Sequence, residues 1–429
     1  MDNILLWNKV GDPVKTQRRT VAPHRRGQHG IVGSVMLRVH ALGLIAMGSV
    51  MSITVTSPVI PLYLDGLGLP PQHVGGIIGA TSLAIIVTEL LAMAMSHLLG
   101  RRRTVIFALV ASALMFGTFP LAASLGGLYA SRLVLGAVRG FLWPVLFAEV
   151  AEHGPPERRG AQFAVFWLYF GFGQLFSPAL GGWLGETVSL AAPFYAGAVM
   201  SLLTIPAALI VRPQHDPNPG NPMTAYVTLL RRSPAVGRTW LLTVCNTTII
   251  AVFATFLPLH AASRGLNPAQ IGILFTAGAV AFILAQWVMS RLAGRIAVDR
   301  LLAPGFLVRG LGVAAVPWLG SFGALLSLNF FGSFASAGIP NAVSMRVTAR
   351  TPRAYLVPAM GGFNAAADIG FFVGPALGGV LAGVGLQWPF LMVLPVLGAA
   401  LLILALPEPQ GEAAAHAADG QTEAAVNRP

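Results

Sequence analysis

The chain has 429 residues, of which 55% are hydrophobic and only 10% are charged, and its mean hydropathy is +0.72. A soluble protein carries roughly a quarter charged residues, so this composition excludes a soluble globular fold and indicates an integral membrane protein. The formal charge of +12 comes from short arginine clusters between long apolar runs. That placement argues against nucleic-acid binding and is typical of the positive-inside rule.

The chain opens with residues 1–37, which are polar and basic and contain no apolar run of the signal-peptide type. Both lysines of the protein, Lys9 and Lys15, lie here, whereas every later basic residue other than histidine is arginine. We therefore expect a cytoplasmic arm that is not needed for function, with Met36 as an alternative start.

Twelve apolar runs follow, and each is long enough to cross a bilayer as a helix. The predicted fold is all-α, with six spans in residues 38–211, a cytoplasmic linker at 212–238 and six spans in 239–407. Residues 408–429 are alanine-rich and polar, and we expect a disordered cytoplasmic tail. The predicted spans are 39–64, 74–97, 104–123, 126–150, 161–184, 190–211, 239–262, 269–291, 302–320, 323–346, 356–384 and 387–407.

The basic residues predict the orientation of these spans. With the amino terminus inside, the cytoplasmic loops hold nearly all the arginines, whereas the opposite loops hold only Arg264. This asymmetry predicts a multi-pass protein of the cell membrane with both termini in the cytoplasm.

An internal repeat organises the chain. Residues 173–182 and 370–379 both end in Pro-Ala-Leu-Gly-Gly and lie 197 positions apart, and the same offset pairs Pro61 with Pro258 and Gly75 with Gly272. The repeat predicts two pseudo-symmetric six-helix bundles. Glycines let helix backbones approach closely and proline bends them, so we expect the motif to serve helix packing and gating. Its residues are Gly173, Pro178, Gly181, Gly182, Gly370, Gly374, Pro375, Gly378 and Gly379.

Three charged residues lie deep within predicted spans. At about 1.5 Å per residue, Glu89, Arg139 and Asp368 are roughly 12, 16 and 18 Å from the cytoplasmic ends of their helices. A charge at that depth is costly without a partner or a function. Arg132 lies two turns from Arg139 on the same side of span 4.

No feature of the sequence predicts enzymatic or metal chemistry. The single cysteine, Cys245, lies in an apolar run, the histidines have no metal-ligand spacing, and there is no phosphate-binding glycine loop. We expect no metal, no cofactor and no enzymatic activity.

Three motifs resemble the major facilitator superfamily of transporters, across residues 38–407. Arg132-Leu-Val-Leu-Gly136 resembles its fourth-helix signature, and the repeated glycine-proline motif resembles the fifth-helix signature of its drug/proton antiporter branch. Ser177 stands where that motif has a glycine. Gly100, Arg101 and Arg102 match the loop between helices 2 and 3, although His97 and Leu98 replace its usual charged residues.

The resemblance implies alternating access around a central cavity onto which Glu89, Arg139 and Asp368 converge. We interpret Glu89 and Asp368 as proton carriers, because a carboxylate that moves between wet and dry surroundings changes its proton affinity. The repeat counterpart of Glu89 is Gln286. The predicted substrate cavity is lined by Arg139, Arg132, Asn246 and Asn341.

The structural alternatives stay open. Arg132 could fix helix 4, Glu89 and Arg139 could neutralise each other, and Asp368 could form a packing contact. Arg309 is expected to reach the cytoplasmic surface.

The leading hypothesis is proton-coupled efflux of a small organic molecule by a monomer in the inner membrane. An importer or exchanger of organic anions that uses Arg139 and Arg132 is the second hypothesis. A membrane receptor that transports nothing is the third.

Overall fold

The computed structural model describes residues 25–89, 91–152, 159–215, 228–229, 233–292, 298–351 and 356–407. Within these ranges, eleven helices are long and apolar enough to cross a membrane, and a shorter apolar helix, Ala192–Ala208, occupies the place of the sixth span. The described chain is helical with no strand, as predicted. The tail at 408–429 and most of the linker lie outside the described residues.

We number the helices by span and give the pieces of a broken span letters. The helices of the first half are α1a (Arg25–Thr54), α1b (Ile60–Gly66), α2a (Pro71–Glu89), α2b (Ala92–Leu99), α3 (Arg101–Thr118), α4 (Leu125–Glu152), α5 (Arg159–Thr187), α6a (Ala192–Leu203) and α6b (Ile205–Ala208). Those of the second half are α7 (Pro234–Ser263), α8 (Pro268–Leu292), α9 (Leu302–Ala315), α10a (Phe322–Ser336), α10b (Gly338–Ala349), α11 (Leu356–Ala382), α12a (Trp388–Leu391) and α12b (Val393–Ala405).

The first helix begins upstream of the predicted boundary at residue 38. The helix α1a starts at Arg25, whereas its membrane-spanning part begins at Leu37, close to the predicted start of the first span. The apolar run therefore predicts where the membrane-spanning part begins but not where the helix begins, because a helix can continue beyond the hydrocarbon layer into water. Residues 1–24 of the predicted arm lie outside the described residues.

The two halves repeat each other in local detail. The hydroxyl of Ser124 accepts a hydrogen bond from the Gly127 amide at the start of α4, and Ser321 does the same for Ala324 at the start of α10a. Such a cap satisfies an amide that has no partner within its helix. Gly68 and Gly265, another pair 197 apart, both have positive φ angles, of 74° and 85°, in the turn before the next helix.

The repeated glycine motif packs each half in the same way. A Cβ atom on Gly173 would lie 2.8 Å from the Met47 carbonyl oxygen of α1a, and one on Gly370 would lie 2.6 Å from the Val244 carbonyl oxygen of α7. Met47 and Val244 are also 197 apart. The motif therefore holds α5 against α1a and α11 against α7, which confirms that the two segments occupy equivalent helices.

The departure at Ser177 has a local explanation. The Ser177 hydroxyl is hydrogen-bonded to that of Thr54 on α1a. In the second half the same two positions hold Gly374 and Ala251, which pack directly. A hydrogen-bonded pair of hydroxyls thus replaces a contact between two small apolar residues.

Candidate functional site

The two halves meet most closely at one end of the molecule. There, Gly75 of α2a packs against the Pro375 carbonyl of α11, and Gly272 of α8 packs against the Pro178 carbonyl of α5. The Ala179 amide donates a 3.1 Å hydrogen bond to the Thr276 hydroxyl across the second of these contacts. The motif residues Gly182 and Gly379 also face the opposite half here, so the motif serves contacts both within and between the halves.

We call the other end, which carries Arg101, Arg102 and Arg103, the basic end. The helix pieces at that end, α2b and α10b, pack against helices of their own half. The strongest contacts between the halves among the described helices therefore lie toward the proline end, and we call the region between the halves toward the basic end the gap.

Glu89 and Asp368 lie on helix faces that border this gap. Asp368 is seven residues from Pro375, which is two turns along the face of α11 that packs on α2a. Glu89 is fourteen residues from Gly75, about four turns along the matching face of α2a. Both residues are partly exposed, and Asp368 interacts electrostatically with Glu89 and with Arg139. The structure thus brings together the three deep charges.

Arg139 lies beside the two carboxylates but is itself buried. Its Nη1 donates a 3.1 Å hydrogen bond to the Ser49 carbonyl of α1a, and its Nε has no partner among the described residues. No ion pair joins Glu89 to Arg139 in the described chain, so the predicted neutralising pair is not formed in this conformation.

Glu89 is the last residue of α2a, and the next described helix, α2b, begins at Ala92 within the predicted span 74–97. Gly140 of α4 approaches so closely that an added Cβ would lie 3.0 Å from the Glu89 amide nitrogen.

Arg132, predicted to line the cavity, lies instead in the core of the first half. Its guanidinium is stacked on the Phe119 ring at 4.6 Å, and its Nε and Nη2 have no partners among the described residues. This placement fits the alternative interpretation, in which Arg132 fixes α4.

Arg309 was expected to reach the membrane surface, and that prediction is wrong. The side chain is buried, with 6% of its area exposed, and its Nη1 donates to Asn329 at 3.1 Å and to Ser333 at 3.4 Å. Its guanidinium lies 4.5 Å from the centre of the Phe253 ring. Asn329 is the repeat counterpart of Arg132. Each half thus has a buried arginine that lies over a phenylalanine ring, but the arginine comes from α4 in the first half and from α9 in the second.

The counterpart of Glu89 belongs to a hydrogen-bond network. The Asn341 amide donates to Gln286 Oε1 at 2.7 Å, and Gln286 Nε2 donates to the Ala337 carbonyl at 3.3 Å. Ala337 separates α10a from α10b, so the network holds the two pieces of span 10 together. Asn246 is buried on α7, and its side chain has no hydrogen bond to another described residue.

The sequence reasoning missed the wall of the gap formed by α5. Trp167, Gly171 and Gln174 follow the helical face that carries Pro178, and Trp167 is 47% exposed. They are the repeat counterparts of Asn364, Asp368 and Phe371 on α11. Applying the offset of 197 to Asp368 would have found them. At equivalent positions of the repeat, α2a and α11 therefore carry two carboxylates, whereas α5 and α8 carry Trp167, Gln174 and Gln286.

The carboxylate partners of Arg101 were also missed. Gly100 has a positive φ of 78°, which favours glycine, and Arg101 follows it. The buried Arg101 guanidinium pairs with Glu149 at 3.0 Å and Glu152 at 2.8 Å, both near the end of α4. Two acidic residues three apart at a helix end are the signal that could have revealed this pair. The second half has Asp299 paired with Arg346 at 2.8 Å, and Arg346 is the counterpart of Glu149.

Metal binding has no support in the described residues, which contain no group of three histidine, cysteine, aspartate or glutamate side chains able to hold an ion.

Comparison with known proteins identifies the family. The sequence model of the Major Facilitator Superfamily matches residues 42–260 and 239–428. The chain belongs to this superfamily. It is therefore a multi-pass membrane transporter rather than an enzyme or a receptor that transports nothing.

The relatives of this transporter include efflux pumps. It is 22% identical over 354 residues to a multi-drug resistance efflux pump PmrA homolog of Lactococcus lactis subsp. lactis (strain IL1403), across 80% of this chain and 87% of that protein. It is 22% identical over 231 residues to the quinolone resistance protein NorA of Staphylococcus aureus (strain MSSA476), across 52% of this chain and 58% of that protein.

Solved structures share the fold of this transporter. A bacterial homolog of the human lysosomal transporter Spinster, in an inward-facing and unoccupied conformation, matches with a TM-score of 0.67 and 15% identity over 86% of this chain and 95% of that one. At this identity the match shows the fold alone.

Proposed function

We propose that this transporter exports a small organic molecule in exchange for protons, with Glu89 and Asp368 as the proton-carrying groups. The observation that carries the proposal is the pair of carboxylates on the surfaces of α2a and α11 that face each other, with Asp368 in electrostatic contact with Glu89. Their separation depends on how the halves are arranged, so a rocking motion changes their solvation and hence their proton affinity.

The lining of the gap favours a cationic or amine-bearing substrate with an aromatic body. The two carboxylates are partly exposed, and Trp167 presents an indole ring from the α5 wall. Aromatic faces attract both flat apolar groups and cations. The similarity to a multi-drug resistance efflux pump named above supports the outward direction of transport.

The organic-anion hypothesis has less support. The two arginines that it requires are buried, with 8% of Arg139 and 7% of Arg132 exposed. An anion entering the gap would meet the carboxylates first.

We also infer that the basic end faces the cytoplasmic side of the inner membrane. We infer as well that the protein functions as a monomer. The arginine asymmetry supports the orientation. In this conformation the gap then opens toward the cytoplasm, where an exporter takes up its substrate.

Flux measurements in proteoliposomes test this proposal. A panel of aromatic amines, neutral aromatic compounds and aromatic carboxylates would be followed with and without an imposed pH gradient, and lumenal pH would be read with a trapped dye. We expect amine transport against a concentration gradient only with the pH gradient, together with proton movement in the opposite direction. Carboxylate transport that is indifferent to pH would contradict the proposal and support the anion hypothesis.

A further inference from the structure

A small pocket at the basic end is separate from the gap between the halves. Its volume is about 250 Å³, and we call it the basic pocket. It lies where α2b ends, α3 begins and the chain leaves α6b. Its lining residues are Leu99, Gly100, Arg102, Arg103, Pro213 and His215.

The basic pocket carries positive charge that no described carboxylate balances. The nearby Glu149 and Glu152 pair with Arg101, whereas neither Arg102 nor Arg103 forms an ion pair within the described chain. A buried or half-buried charge without a counter-ion is unfavourable, so an anion would bind here with a gain in electrostatic energy.

The Arg102 guanidinium is held in place. Its Nε donates a 2.7 Å hydrogen bond to the Val211 carbonyl, and neither terminal nitrogen has a protein partner in the described chain. Those two nitrogens remain for a ligand, and guanidinium groups form paired, charge-assisted hydrogen bonds with phosphate oxygens. An arginine fixed in this way loses little side-chain entropy when it binds a phosphate.

The position of the basic pocket indicates where such a phosphate comes from. The membrane-spanning part of α3 begins at Arg101, so the pocket lies where a bilayer has its headgroups. Leu98 and Leu99 present apolar surface beside it, with 72% and 36% of their areas exposed. Arginines at the headgroup level with apolar surface below them suit an anionic phospholipid better than a soluble phosphate.

We propose that the basic pocket binds the phosphodiester headgroup of an anionic phospholipid. Arg102 and Arg103 contact the phosphate, and His215 lines the same pocket. The bound lipid joins the start of α3 to the segment after α6b, where the Arg101 amide already donates a 2.8 Å hydrogen bond to the Gln214 carbonyl. Lipid binding therefore stabilises the basic end of the first half, whatever the substrate is.

The test compares lipid-dependent stability in the full chain purified in detergent. Phosphatidylglycerol is added to the wild type, to the Arg102→Gln/Arg103→Gln variant and to Arg300→Gln. Arg300 is an exposed arginine at the basic end of the second half that does not line the pocket, so it controls for loss of charge alone. Phosphatidylcholine and inorganic phosphate are the other additives.

We expect phosphatidylglycerol to raise the Tm of the wild type and of Arg300→Gln, because a ligand that binds only the folded state stabilises it. The double variant should lose most of that shift, and native mass spectrometry should find one bound phosphatidylglycerol fewer per chain. If the double variant does not fold, Arg103→Gln serves in its place, because Arg103 is exposed and forms no hydrogen bond within the described part of the chain.

Two results would overturn the proposal. An unchanged phosphatidylglycerol shift and lipid count in the variant would show that the lipid binds elsewhere. A shift of the same size with inorganic phosphate would show that the pocket takes a soluble anion.

Discussion

Side chains in and around the gap differ in whether they are hydrogen-bonded to neighbouring residues. Arg139 is tied to a backbone carbonyl of α1a, and Gln286 and Asn341 bond to each other. In contrast, Glu89 and Asp368 have no hydrogen-bonded partner in the described chain and are partly exposed. These two side chains can therefore change protonation without breaking the fold, whereas the others are better placed to hold helices together.

Trp167 offers a prediction for substrate binding. Trp167→Ala should raise the half-maximal substrate concentration by about three- to tenfold, because an aromatic contact contributes about 0.5–1.5 kcal/mol. Trp183→Ala, on the opposite side of the same helix and 54% exposed, is the matched control. Initial rates of efflux measure both. Equal effects of the two variants would show that Trp167 does not face the substrate.

The ion pairs of the basic end should contribute unequally to stability. Arg101→Gln removes the buried cation that pairs with the fully buried Glu149 carboxylate and should destabilise the fold by about 3–5 kcal/mol. Arg346→Gln removes the exposed pair with Asp299 and should cost less than about 1 kcal/mol. Chemical unfolding in detergent would measure the two free energies. A similar loss from both would mean that burial of the first pair does not determine its contribution.

At the scale of helices, composition and the repeat predicted a great deal. Long apolar runs identify the spans because a bilayer demands about twenty apolar residues, and the offset of 197 identified the helices that pack alike. The motif glycines were informative because close backbone contact requires a residue without a side chain.

The break at Ala337 could not be predicted in this way. A broken span keeps the same apolar composition, and its freed backbone groups are satisfied by residues from other helices, as Gln286 does for Ala337. The partners of Arg101 and Arg309 were missed for a related reason, since a contact between spans depends on side-chain direction rather than on sequence spacing.

The contacts at the proline end yield a prediction about conformational change. Gly75→Leu or Gly272→Leu would place a side chain where the opposite half has backbone atoms, and should therefore keep that end open. Gly398→Leu, at a position with no atom nearby, is the control. Cysteine labelling of the gap from the proline side should increase in the first two variants alone. Unchanged labelling would show that this end does not open during transport.

At the scale of the whole molecule, the two halves share their helix packing but differ in their polar side chains. The shared packing comes from glycines, prolines and helix caps that recur at the offset of 197. The differences lie at Glu89 against Gln286, Gly171 against Asp368, and Arg132 against Asn329. The symmetric residues give the two bundles equivalent contacts at their interface, and the asymmetric residues place one carboxylate on each half, where α2a meets α11.

This asymmetry also sets the limit of what the sequence could predict about the site. The sequence showed that Glu89, Arg139 and Asp368 lie deep in their spans, and it was the resemblance to the transporter family that implied their convergence. Which of them face water and which are buried depends on the rotation of each helix, and that is decided by packing across the whole bundle.

The most direct test of the account is proton-coupled flux by Glu89→Gln and Asp368→Asn in proteoliposomes. Glu89→Gln copies the residue at the equivalent position of the second half, so we expect it to fold and insert normally. Each variant should lose pH-driven uphill transport and substrate-induced proton movement, while it keeps substrate binding or downhill exchange. Glu186→Gln, an exposed carboxylate at the far end of α5, should behave as the wild type. Full proton-coupled transport in both cavity variants would contradict the central claim that these two carboxylates carry the coupling proton.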